Sequence, residues 1–134
     1  MSPELLNPEA FGLKESRPTQ ESDCYALGMV IYEVLSGQRP FTQSTRETTV
    51  IFKVLQGDRP SRPEGKEGMP FTDDIWQVLE LCWKPQPHDR INAKAVLQGL
   101  EGNLSLLRPD TTASDSGMFP VLFRAHLEFP LHYN

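Results

Sequence analysis

The chain is poor in the residues that staple or metallate a small domain. Its 134 residues hold two cysteines, Cys24 and Cys82, and three histidines. Neither set has a metal-ligand spacing, so nothing assembles a Cys/His site, and His126 and His132 read as exposed bystanders near the C-terminal end. Each cysteine lies in an apolar stretch and reads as a small core residue in a reducing compartment, with a disulfide or metal site as the lesser alternative. No apolar run reaches the roughly 18 residues of a membrane-spanning helix. Met1-Ser-Pro-Glu-Leu-Leu6 has neither the basic region nor the long apolar run of a signal peptide. Positive charge is also short: 13 Lys and Arg face 18 Asp and Glu, a net charge of -5. That argues against a nucleic-acid or anionic-membrane partner. Both phosphate-cradling patterns, G-x-G-x-x-G and G-x-x-x-x-G-K-[ST], are missing, and Gly65 and Gly68 have no partners at the needed spacing. Ser and Asp are plentiful but fall where caps and turns use them, so no Ser-His-Asp set is arguable.

What the chain does have is one dominant apolar stretch, Ser22 to Ser36 followed by Gly37. Tyr25, Ala26, Leu27, Met29, Val30, Ile31, Val34 and Leu35 leave little polar face, which predicts a buried central helix with the rest packed around it. At about 14 residues it extends roughly 21 Å, too short for a membrane. Ser22 or Asp23 is the expected N-cap. Gly37 supplies a left-handed closing residue, and Pro40 prevents continuation.

Around that axis the spacing predicts three more helices and one helical turn. Ser2 to Leu6 reads as the turn, with Pro3 in its first positions, and Asn7 to Gln20 as a surface loop. Thr49 to Gln56 reads as a helix with Val50, Ile51, Val54 and Leu55 inward, though its β-rich composition makes a strand the competitor. Thr72-Asp73-Asp74 opens a helix over Ile75–Trp83, its first turn acidic as the dipole favours, with Ile75, Val78, Leu79 and Cys82 inward. Asn92 caps a helix through Leu100 or slightly beyond, with Ala93, Val96, Leu97 and Leu100 inward. Residues 109–118 have linker composition, and Met118 to Asn134 is apolar without a clear period. His88-Asp89-Arg90-Ile91-Asn92 holds the letters of a kinase catalytic loop in the wrong order, and Asn92 is better explained as a cap.

Several of these stretches together resemble the C-terminal half of a eukaryotic protein-kinase domain. Ser2-Pro3-Glu4 is similar to the A-P-E motif that closes the activation segment. Asp23-Cys24-Tyr25-Ala26-Leu27-Gly28, with Tyr32 to Gly37 and Pro40-Phe41, resembles the D-V-W-S-x-G start of helix F and its continuation. Cys82-Trp83 with Pro87 and Arg90 is similar to C-W-x-x-x-P-x-x-R before helix I; Ile91 replaces the usual proline there. The Cys-Trp spelling resembles tyrosine or tyrosine-kinase-like kinases. Gly57 to Pro63 and Asp74-Ile75-Trp76 resemble the tyrosine-kinase-like set of mushroom-forming fungi.

The resemblance implies an all-α fold class: the C-terminal lobe of a protein kinase over residues 1–104, around a buried central helix, with a disordered or irregular tail over 105–134. It implies structural roles for Pro3, Glu4, Asp23, Gly28, Trp83 and Arg90, with Glu4 paired to Arg90 and Asp23 accepting backbone N–H groups of the catalytic loop. The family's activity is ATP-dependent phosphoryl transfer to Ser, Thr or Tyr. The glycine-rich loop, the ATP-anchoring lysine and its glutamate, H-R-D and D-F-G are all missing from these 134 residues. No catalytic, cofactor-binding or metal residue is therefore assigned; ATP and Mg²⁺ belong to the parent family. The expectation is an intracellular, cytoplasmic signalling protein of kinase descent, inactive alone in the manner of a pseudokinase. The alternatives are a non-catalytic binding or scaffold module and a truncated gene product. Partners would be proteins, docking through the helix G region (Val50 to Leu55) or through the surface left by the missing lobe.

Overall fold

The computed structural model describes residues 1–44, 46–63 and 71–104. The Gly65, Gly68, His126 and His132 assignments and the whole tail lie outside them. Five α-helices follow in order: α1 Pro3–Leu6, α2 Gln20–Ser36, α3 Glu47–Leu55, α4 Asp73–Cys82 and α5 Ala93–Leu104, with 3-10 turns at Pro8–Phe11 and Pro87–Asp89. No strand occurs among the described residues, so the Thr49–Gln56 segment is helical; its β-rich composition yields to an amphipathic pattern that seats Val54 in the core.

The long helix starts earlier than its composition suggested. Thr19, not Ser22 or Asp23, is the N-cap of α2. Its Oγ1 accepts from the Ser22 N–H at 3.2 Å, and the Thr19 N–H donates to Ser22 Oγ at 2.9 Å. This reciprocal box satisfies two otherwise orphaned donors. Gly37 closes the helix at φ 66°, a conformation a side chain would strain. At the other starts, Thr72 Oγ1 accepts from the Ile75 N–H, and Asn92 Oδ1 accepts from the Ala95 N–H at 2.9 Å.

α2 packs against α4, and α4 against α5. The core is one cluster in which Tyr25, Ile75, Leu79 and Cys82 are almost fully covered. Beside it Tyr32, Phe71, Trp76 and Trp83 form a ring of tilted and edge-on contacts, with centroids from 5.8 Å (Tyr32–Phe71) to 6.5 Å (Tyr32–Trp76). Edge-on pairs of this kind add about 0.5–1.5 kcal/mol each beyond area burial. The contact between α2 and α4 is closest at Gly28. A Cβ there would stand 2.5 Å from Trp83 Nε1 and 2.7 Å from Cys82 Cβ.

Two burial expectations are overturned. α2 is not covered all round: Cys24, Tyr25, Gly28 and Tyr32 face the core, while Ala26, Leu27, Val30 and Val34 lie on the open side with Asp23 and Glu33. Val30 is 56% and Val34 68% exposed. Among the described residues the main helical contacts of α2 are with α4 and the Pro87–Asp89 turn, and the opposite face stays exposed. In the same way Leu55 and Leu97 point outward, because α3 and α5 each touch the core along a single narrow stripe.

Two substitutions check this arrangement in thermal melts. Gly28→Ala should cost about 1–3 kcal/mol, since either α4 or Trp83 must shift to admit the methyl group. Leu97→Ser should change stability by no more than about 0.5 kcal/mol, as for an exposed position.

Candidate functional site: the Arg90 junction

The most heavily bonded side chain among the described residues is Arg90. It follows the 3-10 turn Pro87–Asp89, where Pro87 and the preceding Pro85 restrict the approach of the chain. Arg90 Nη1 donates to Glu4 Oε1 at 2.7 Å and Nη2 to Glu4 Oε2 at 2.8 Å, a bidentate pair 86 residues apart in sequence. The guanidinium also donates to three further carbonyls: Nε to Lys84 at 3.0 Å, Nη1 to Glu21 at 3.0 Å and Nη2 to Pro85 at 3.4 Å. The two side chains are 0% and 2% exposed. Burial is the largest single influence on the Glu4 carboxyl and pushes it up, but the Arg90 hydrogen bonds, a backbone N–H, the Arg90 charge and Ser2 together hold it below its ordinary pKa. One arginine thus ties α1, the start of α2 and the loop before α5 to a single point.

Tyr25 turns this point into a stack. Its ring lies between two guanidinium groups, with Arg90 Cζ 5.1 Å and Arg59 Cζ 5.2 Å from the centroid. Arg59 Nε donates to the Trp83 carbonyl at 2.9 Å, and Nη1 donates to the Asp58 carbonyl at 2.8 Å and the Val54 carbonyl at 3.4 Å. Arg59 therefore joins the end of α3 to the end of α4 while covering one face of the tyrosine. Cation–π contacts of this kind are worth up to about 2 kcal/mol when desolvated. Burial pushes the Tyr25 hydroxyl up, keeping it neutral between the two cations.

The positions singled out from the sequence divide into two groups. Glu4, Gly28, Trp83 and Arg90 come together with Pro3 in the buried junction and the adjoining α2–α4 contact. Asp23 does not: it is exposed on the first turn of α2. Sequence reading missed the role of Arg59; Tyr25, placed in the buried central helix, is 0% exposed. The available signal was the Arg-Pro pair at 59–60 directly after the α3 helix; what could not be read was that Arg59 crosses to α4. The two cysteines are free and buried, and burial raises both thiols, Cys82 to about 12.

A cleft of about 440 Å³ lies beside the end of α2, lined by Tyr32, Phe41, Lys53, Asp58, Arg59 and Arg62 among others. Its two arginines are mostly engaged by the protein itself, with Arg59 Nη2 left without a partner. Arg62 is engaged by Asp73 Oδ1 and the Phe71 carbonyl, both at 2.6 Å, and Arg59 by three carbonyls. Among the described residues no three His, Cys, Asp or Glu side chains converge as metal ligands. The described residues therefore show no carboxylate set of the kind that holds the metal of a Mg²⁺–nucleotide. His88 and Asp89 are exposed and 3.5 Å apart, outside any buried site.

With this geometry in view, comparison with known proteins is direct. Residues 1–100 match the family described as protein tyrosine and serine/threonine kinase. The chain belongs to that family, and its helical architecture is that of a kinase C-terminal lobe. It is similar to Kinase suppressor of Ras A of Caenorhabditis elegans, 29% identical over 81% of this chain and 13% of the relative. It is likewise similar to Receptor-interacting serine/threonine-protein kinase 1 of Homo sapiens, 28% identical over 67% of this chain and 12% of that protein. Serine/threonine-protein kinase PkaA of Streptomyces coelicolor is 30% identical over 74% of this chain and 17% of its own length. The chain thus spans well under a quarter of these relatives. No helix among the described residues is long and apolar enough to cross a membrane.

The junction predicts a specific energetic asymmetry. Arg90→Ala leaves the Glu4 carboxylate buried and unpaired and should cost about 3–5 kcal/mol, enough to unfold or aggregate the chain. Because the Glu4 pKa is lowered on folding, its contribution is complete above the ordinary carboxylate range near 4.5 and is lost as pH falls through the lower folded value. Melts from pH 6 down to pH 3 should therefore fall less steeply for Glu4→Gln than for the wild type. A thiol assay at pH 8 should find both cysteines unreactive until denaturant is added.

Proposed function

We propose that this chain is the scaffold portion of a protein-kinase domain, supporting ATP-dependent phosphoryl transfer to protein hydroxyls without carrying the reacting groups. The observation behind this reading is the two-sided character of α2. One side is locked to α4 and, through Tyr25, to the Arg90–Glu4 pair. The other presents Asp23, Leu27, Val30 and Val34 to solvent. Phosphoryl transfer depends on positioning a nucleotide, its metal and a base or hydroxyl. A rigid helix with one locked side is suited to hold such groups, and its open side is suited to receive them. Under this reading a segment bearing H-R-D and D-F-G seats on the open face, with Asp23 accepting its backbone N–H groups. ATP and Mg²⁺ then belong to that segment. The matched family's description covers both tyrosine and serine/threonine kinases, so the acceptor is a protein hydroxyl of either class. The free buried thiols fit an intracellular setting, and the net charge of -5 disfavours nucleic acid and anionic membranes as partners.

A second reading, a non-catalytic binding module, draws on the same open face together with Phe52 and Leu55 on α3, which are 61% and 40% exposed. Exposed apolar side chains in such numbers mark protein contacts.

The assay that tests the scaffold reading is direct. The purified chain should transfer no phosphate from labelled ATP to a mixed protein acceptor above a contaminant control. Its melting temperature should not move in millimolar Mg²⁺–ATP, whereas a site half-saturated well below that concentration would raise it by mass action. Transfer that co-purifies with the chain would overturn the scaffold reading.

A further inference from the structure

The open face of α2 has a candidate occupant within the same chain. Around the helix, Leu27, Val34, Asp23 and Val30 fall in one continuous arc opposite Gly28, completed by Ala26 and Glu33. The arc is mostly apolar, with Asp23 at its N-terminal end between the Val34 and Val30 rows and Glu33 at one edge. Residues 118–134, Met-Phe-Pro-Val-Leu-Phe-Arg-Ala-His-Leu-Glu-Phe-Pro-Leu-His-Tyr-Asn, are ten apolar side chains in 17, with one arginine, one glutamate and two histidines. Outside α2 itself no other stretch of the chain is so apolar, and its basic groups, Arg124, His126 and His132, complement Asp23 and Glu33. The 13 residues between them and α5, 105–117, are mostly Ser, Thr, Asp, Pro and Gly.

We propose that residues 118–134 seat on the Leu27–Val30–Val34 face of α2 within the same molecule. The reach is adequate. Thirteen linker residues span up to about 45 Å when extended. The far side of α2 lies only about 20–25 Å from the α5 axis across two helix-packing distances and one helix radius, and α2 itself is about 25 Å long. The tether sets an effective concentration on the order of 1 mM. A contact of about 0.1 mM intrinsic affinity is then about 90% occupied, giving roughly tenfold protection of the segment. The occupied face is the one on which a catalytic-loop segment would sit under the scaffold reading, so the two would exclude each other. The seat itself depends only on α2 and the tail, and its tests read the seat rather than kinase activity.

Two measurements on the full chain decide it. A photo-reactive benzoylphenylalanine at Val30 should cross-link, in the monomer band, to peptides from 118–134, while the same group at Gln77 on the exposed side of α4 should not. Cross-links between two copies, or none to those residues, would overturn the proposal. Separately, trypsin should cut after Arg124 about tenfold faster in a Val30→Glu/Val34→Glu variant than in the wild type. Both replaced residues are already exposed, so the core is untouched and circular dichroism should match. Equal cleavage rates with matching spectra would also overturn it.

Discussion

The Glu4–Arg90 pair is the constraint on which the rest of this small unit depends. It closes a loop of 86 residues, and it does so with a buried, bidentate contact rather than an exposed one. Desolvating two charges is costly, and the geometry repays that cost only because Arg90 also satisfies three backbone carbonyls. The pair's value is therefore chiefly in specificity. It fixes where α1 lies relative to the start of α2 and the loop before α5, three segments with little apolar surface of their own to set their register.

Tyr25 carries that constraint inward. Stacked between Arg90 and Arg59, it links the ion pair to the ends of α3 and α4, and from there to Trp83 and the aromatic ring around Tyr32. Gly28, one turn further along α2, lets Trp83 and Cys82 come close enough to complete the contact. A single face of one helix thus gathers the ion pair, the cation stack and the aromatic cluster. The opposite face gathers nothing among the described residues. That asymmetry makes the chain read as a holder of other groups, and it leaves an apolar stripe for the apolar tail to cover.

Much of the fold was legible because local chemistry and tertiary packing agree. The αL glycine at 37, the acidic first turn and Thr72 cap of α4, and the Asn92 cap of α5 all sit where the residue types predict. Reading failed where a local signal had two outlets. Ser22 and Asp23 are both good caps, yet Thr19 takes the position because Ser22 can return the hydrogen bond. Leu97 and Leu55 have the spacing of inward residues, but among the described residues the helices they belong to fully bury only Val96 and Val54.

The amino-acid sequence by itself determined that the chain is helical, that α2 is its axis, that it belongs to the protein-kinase family, and that its 134 residues lack the motifs that hold ATP. These follow from periodicity, caps and motif order, which are local or countable properties. Only the tertiary structure decided that Tyr25 is sealed between two arginines, that Arg59 bridges α3 to α4, and that half of the most apolar helix is left facing solvent. Those depend on which surfaces meet across tens of residues, and an apolar side chain has the same hydropathy whether or not a neighbour arrives to cover it.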